Sequence, residues 1–100
     1  MKLSKEEIAE YKEEIQELTD LMNGEWIELK EILATKLDLE NAYLCGYYED
    51  EDESEYGIVM TKDKLFYAFH LDSDKLELAE VKNIKDVEDT YPQVHVAVTL

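Results

Sequence analysis

The apolar residues of this chain change period once. Ile8, Tyr11, Ile15, Leu18 and Met22 recur at spacings of 3, 4, 3 and 4, which lines one face of an α-helix. Beyond Asn41 the period falls to two, most cleanly in Lys75-Leu76-Glu77-Leu78-Ala79-Glu80-Val81, as in half-buried strands. Helical period first and strand period second predicts an α+β domain.

The helical part has clear punctuation. Ser4-Lys5-Glu6-Glu7 is a capping box, and Leu3 and Ile8 flank it as a hydrophobic staple. Asn23-Gly24 is a helix stop. Glu25 to about Asp38 predicts a second helix through Trp26, Leu29, Ile32, Leu33 and Leu37, with a short strand at Trp26-Ile27-Glu28-Leu29 as the alternative. The short joint implies a helical hairpin over residues 4–39.

Residues 41–100 predict an antiparallel sheet of four to five strands. Strands are expected around Tyr43 to Tyr48, Gly57 to Met60, Leu65 to Leu71 and Lys75 to Val81, with turns at Thr61-Lys62-Asp63-Lys64 and Asp72-Ser73-Asp74. Tyr91-Pro92 disfavours helix, so Val87 to Pro92 is expected as a loop. Val94, Val96 and Val98 alternate as a last strand. One hundred residues make one domain, 1–100, with the helical hairpin packed on the sheet.

Charge then narrows function. The chain has 26 Asp and Glu against 10 basic residues, a net of −16. Nucleic-acid backbones need a cationic footprint, so direct nucleic-acid binding is not expected. Anionic membranes are disfavoured on the same ground. The N-terminal stretch Met1-Lys2-Leu3-Ser4-Lys5 lacks an apolar signal region, and the single cysteine, Cys45, can form no internal disulfide. A cytoplasmic location is the simplest expectation.

Six of the seven residues between Tyr48 and Tyr56 are acidic: Glu49, Asp50, Glu51, Asp52, Glu53 and Glu55. A calcium loop would need glycine at its sixth position and glutamate at its twelfth. Counted from Asp50 these are Glu55 and Thr61, and counted from Asp72 they are Glu77 and Asn83. Both frames fail, and no metal or cofactor is expected. A run of like charge is ordinarily a solvated loop.

Helix 1 adds a second array. Glu6, Glu10, Glu13, Glu17 and Asp20 recur at spacings of 4, 3, 4 and 3, opposite the apolar stripe. At about 1.5 Å per residue they span roughly 21 Å, or about one charge per 5 Å. One strand of B-DNA carries a charge every ~3.4 Å. Only Lys5 and Lys12 interrupt this helix with positive charge. Asp86, Glu88 and Asp89 form a third acidic cluster.

Catalytic signals are absent. Cys45 lies in an apolar, acidic setting that raises a thiol pKa, so a buried structural cysteine is expected. His70 and His95 are expected on strands, and neither has a second His or Cys spaced for zinc. The three glycines are isolated, so no phosphate loop exists. The chain is therefore expected not to be an enzyme. Tyr43, Tyr47, Tyr48 and Tyr56 flank the acidic run, and aromatic residues are enriched at interface hot spots. Period two puts Tyr43 and Tyr47 on one sheet face and Tyr48 on the other.

Two resemblances bear on function. Gly57-Ile58-Val59-Met60-Thr61-Lys62-Asp63-Lys64-Leu65-Phe66-Tyr67 resembles the central hairpin of bacterial pleckstrin-homology-like domains, and Val81-Lys82-Asn83-Ile84-Lys85-Asp86-Val87 resembles the strand exit of that family, with Ile84 and Val87 marking the next turn. Helices come first here, and the family's closing C-terminal helix has no counterpart. This resemblance implies a protein-interaction module whose acidity is incidental. In size and charge, without a shared motif, the chain is similar to small phage inhibitors of uracil-DNA glycosylase, restriction enzymes and CRISPR nucleases. That likeness implies an acidic inhibitor, of the anti-CRISPR or other anti-defence kind. It would imitate nucleic acid and block the basic groove of a nucleic-acid-binding enzyme. Its binding residues would be the five helix-1 carboxylates and the six acidic residues of 49–55, with Tyr48 and Tyr56 as anchors.

Overall fold

The computed structural model describes residues 2–100; Met1, part of the N-terminal stretch read above, lies outside them. Helix α1 runs Lys5–Asn23. Its capping box closes both ways: Glu7 N donates to Ser4 Oγ, and Ser4 N donates to Glu7 Oε1, each at 3.1 Å. Two of the orphan N–H groups at the helix start are thereby satisfied. Leu3 packs into the core, whereas Ile8 stays 42% exposed.

Helix α2 is Ile27–Ala34, shorter than the Glu25 to Asp38 expected. Trp26 stands at its N-cap and offers no side-chain acceptor. At the other end the Thr35 hydroxyl donates to Ile32 O at 2.6 Å. A side chain that competes for a helix carbonyl in this way favours termination. The strand alternative at Trp26 to Leu29 does not form.

Four strands follow as an antiparallel meander: β1 Tyr43–Glu49, β2 Glu55–Met60, β3 Phe66–Asp72 and β4 Lys75–Val81, in the order β1-β2-β3-β4. The class is α+β, as expected. The register is continuous from β2 to β4, but β1 shifts between Leu44 and Gly46. This bulge changes the phase of the strand. Tyr43 packs with the core on one face of the sheet and Tyr47 with the core on the other, so the expected common face is not observed.

The first face carries Cys45, Ile58, Met60 and Phe66, covered by Ile15 of α1 and by the C-terminal segment. The second carries Leu44, Val59, Phe69 and Leu71, covered by Met22 of α1 and by Leu29 and Leu33 of α2. Both helices therefore share cores with the sheet. Helix α1 contributes to both because it lies along the outer edge of β1, where Leu44 N donates to Thr19 Oγ1 at 3.0 Å.

The expected last strand at Val94 to Thr99 is instead a short helix, α3, Val94–Ala97. Pro92 explains the difference. Its fixed φ suits the first turn of a helix, and Tyr91, Pro92 and Gln93 carbonyls accept from Val94, His95 and Val96. Val94, Val96 and Ala97 are then buried against the first face. His95 is consequently helical, while His70 lies on β3 as expected. A 3-10 turn, Ile84–Asp86, precedes the expected loop. At β1 the Tyr91 ring takes the space a Cβ on Gly46 would need.

Candidate functional site: an acidic surface with an aromatic row

Glu6, Glu10, Glu13, Glu17 and Asp20 are all exposed on α1. Among the described residues, the only ion pairs involving lysine join Lys62 to Asp38 at 3.3 Å and to Glu40 at 3.6 Å. None of the described cations pairs with an α1 carboxylate. Asp20 accepts one neutral hydrogen bond, from Gln16 Nε2 at 3.0 Å.

The acidic run is an ordered turn. Asp50 Oδ1 accepts from Asp52 N at 3.0 Å and Ser54 N at 2.9 Å, and Oδ2 accepts from the Tyr56 hydroxyl at 3.2 Å. Glu55 Oε1 accepts from the Tyr47 hydroxyl at 2.6 Å. Asp50 and Glu55 thus hold the loop, and Glu49, Glu51, Asp52 and Glu53 are exposed. The sequence does not distinguish these two roles, because a carboxylate in a run of carboxylates looks like its neighbours.

Tyr48, Tyr56, His70 and Glu77 occupy one row across all four strands. The Tyr48 and Tyr56 rings stack at 4.8 Å, and Tyr56 and His70 at 4.5 Å. Tyr48, at the outer end, is 44% exposed. Burial first, and then the Asp50 carboxylate, push the Tyr56 hydroxyl above its ordinary pKa. Burial and then Glu55 do the same for Tyr47. Of the two expected anchors, Tyr48 is the more exposed, with its ring stacked on Tyr56 and 6.2 Å from that of Tyr91.

The meander sorts charge by end. Alternate turns of a meander share an end, so residues 50–54 and the Ser73-Asp74 turn lie together. The start of α2 joins them: Trp26 packs on Tyr47 at 4.6 Å. A cleft of about 330 Å³ there is lined by Glu25, Trp26, Glu28, Glu55 and Ser73, among others. Glu25, Glu28, Asp72 and Asp74 therefore extend the acidic loop, although sequence reasoning left them out. The strand order alone could have placed Asp72 and Asp74. The opposite end holds the lysine-bearing 61–65 turn, and Lys64 Nζ donates to Val98 O there at 3.1 Å. Leu3 and Ile8 share a recess with His95, Val96 and Thr99 of the neighbouring C-terminal segment. The α1 row thus starts at the mixed-charge end, with Glu6 and Glu10, and runs toward the acidic end.

The third cluster is divided. Glu88 Oε2 lies 2.6 Å from His95 Nε2, both half-buried, while Asp86 and Asp89 are exposed. Cys45 is fully buried, and burial pushes its thiol up to about 12, as a structural cysteine requires.

No protein-family model matches the chain, and neither curated proteins nor solved structures yield a match.

Proposed function

We propose that this protein is a non-catalytic binder of a strongly cationic protein surface, blocking a groove that otherwise holds a nucleic-acid backbone. The partner class is a nucleic-acid-binding enzyme, in the manner of phage or mobile-element inhibitors of host defence. One observation carries the reading: five exposed carboxylates, evenly spaced on α1, have no cationic partner among the described residues. Like charges at i, i+4 cost a few tenths of a kcal/mol per pair, and a binding partner would relieve that cost. The exposed acids of residues 49–55 extend the field, and Tyr48 supplies an aromatic anchor beside them. Long-range attraction between opposite fields speeds association. The expected place of action is the cytoplasm; no described helix is long and apolar enough to cross a membrane.

The test is competition with duplex DNA or guide RNA for a candidate basic enzyme, repeated at rising salt. Affinity is expected to fall steeply with salt. Replacing Glu6, Glu10, Glu13 and Glu17 by Gln and Asp20 by Asn is expected to weaken binding by about tenfold or more. Weak salt dependence, or a neutralised helix that binds unchanged, would overturn the proposal. Tyr48→Ala is expected to speed dissociation, read by surface plasmon resonance, with little change in association rate.

A further inference from the structure

The two edges of the sheet are finished differently. At β1 the edge is sealed by α1, with Thr19 accepting from Leu44 N. At β4 no described element pairs with the outer side. Asp72 and Lys75 flank a two-residue turn and pair with each other, the position that exchanges both backbone hydrogen bonds in a tight hairpin. Counting along β4 from there, Leu76, Leu78 and Glu80 direct their N–H and C=O groups away from β3. Lys36 Nζ donates to Leu76 O at 3.3 Å, reaching that carbonyl from outside the ladder. The other outward groups have no protein partner among the described residues. Strand β4 is seven residues long and contains no proline, glycine or bulge. An edge of this kind is a template for another strand.

Its side chains select the occupant. Glu77 is 80% exposed, and its nearest cation-forming neighbour, His70 Nδ1, is 3.9 Å away. Glu80 is exposed with no ion partner among the described residues. Next to them, Ala68 and Ala79 face each other across the ladder and border a recess of about 310 Å³. Two small side chains beside a free carboxylate suit a lysine or arginine, with its stem on the alanines and its head on Glu77. On the second face Leu76 and Leu78 offer half-buried apolar surface. A second copy fits badly. A two-fold register centred on Leu78 sets Glu77 against Ala79 and Glu80 against Leu76, so neither carboxylate meets a cation. Each copy also carries a net charge of −16.

We infer that β4 captures an extended segment of a basic protein, with lysine or arginine alternating with apolar residues, as a fifth strand. The surface is distinct from the α1 row, and the inference does not depend on that reading.

The experiment titrates isotope-labelled protein with a blocked hexapeptide alternating lysine and valine. Amide shifts and slowed hydrogen exchange are expected at Leu76, Leu78 and Glu80. Glu80→Pro removes one outward donor and leaves the β3 ladder intact, so binding is expected to weaken about tenfold, the cost of one lost backbone hydrogen bond. The same peptide N-methylated at alternate residues keeps its charge but cannot bond the edge, and is expected not to bind. The α1 variant with all five acids neutralised is expected to bind the peptide as before. Shifts centred on α1 or on residues 49–55 would overturn the inference. So would equal binding of the N-methylated peptide, or a dimer through β4 in sedimentation without peptide.

Discussion

In residues 50–54, Asp50 N donates to Ser54 O at 3.0 Å and Glu53 N to Asp50 O at 3.1 Å; in residues 61–65, Thr61 N donates to Leu65 O and Lys64 N to Thr61 O, both at 2.9 Å. The fourth residue of the first loop, Glu53, has φ 64, and that of the second, Lys64, has φ 63. One backbone plan thus serves both ends of the sheet, with opposite chemistry laid on it. The first loop is held from inside by a carboxylate that accepts three hydrogen bonds. Within the second, the one side-chain bond is weak, from the Thr61 hydroxyl to Leu65 O at 3.4 Å, and its lysines bond outward to Asp38, Glu40 and Val98 O. Turn geometry is therefore indifferent to charge here. Charge at each end is free to be set by function, provided one acidic residue is reserved for structure.

The sharpest way to break this comparison is to remove the two organising side chains. Asp50→Ala leaves three donors without their acceptor and is expected to destabilise by about 2 kcal/mol. Thr61→Ala is expected to cost about 0.5 kcal/mol, at the low end for one bond stretched to 3.4 Å. Urea unfolding of both variants measures the difference, and equal losses would show that Asp50 does not organise its loop. Next in size is the left-handed residue. Glycine relieves about 1–2 kcal/mol of strain there but adds unfolded-chain entropy. Glu53→Gly and Lys64→Gly are each expected to stabilise by about 0.5 kcal/mol, the first more because it also removes a like charge. High salt should bring the two gains together.

The smallest effects are in pH. The Tyr56 pKa is raised in the folded state, so its contribution is complete below the ordinary tyrosine value near 10 and is lost as pH rises through the folded value. Ultraviolet titration is expected to show Tyr56 ionising late, and Asp50→Asn to bring it earlier. Asp38, near the opposite end, behaves inversely. The Glu40 N–H, and then Lys62, hold its pKa below the usual carboxylate value. Its contribution is present above that value and is lost as pH falls through the folded one. A carboxylate-resolved NMR titration is expected to show Asp38 protonating below the ordinary aspartate value, and Lys62→Met to bring it closer to that value.

Much of this architecture is legible in the sequence. Helix α1 announces itself because its cap, its apolar stripe and its stop are all local. The acidic row on its far face follows from the same period. What the sequence hides depends on residues far apart. Val94, Val96 and Val98 alternate as well as any strand, yet a proline two positions earlier starts a helix, and the first face of the sheet buries it. The bulge at Leu44 to Gly46 inverts the tyrosines without any change in composition. Asp50 and Glu55 are structural acceptors only because Tyr56 and Tyr47 come within reach once the strands pair.

The Gln93 side chain donates through Nε2 to Glu14 Oε1 at 2.9 Å, a bond between residues 79 positions apart. The segment that makes it also brings Tyr91 over Gly46 and lays Val94 and Val96 on Ile15 and Ile58. One half of the core is therefore closed by a part of the chain made after the helix and strands that it covers. Until that part arrives, a nascent molecule exposes an oily patch that no amount of surface acidity conceals. Synthesis interrupted before Tyr91 would yield a sticky fragment and not a smaller version of the fold.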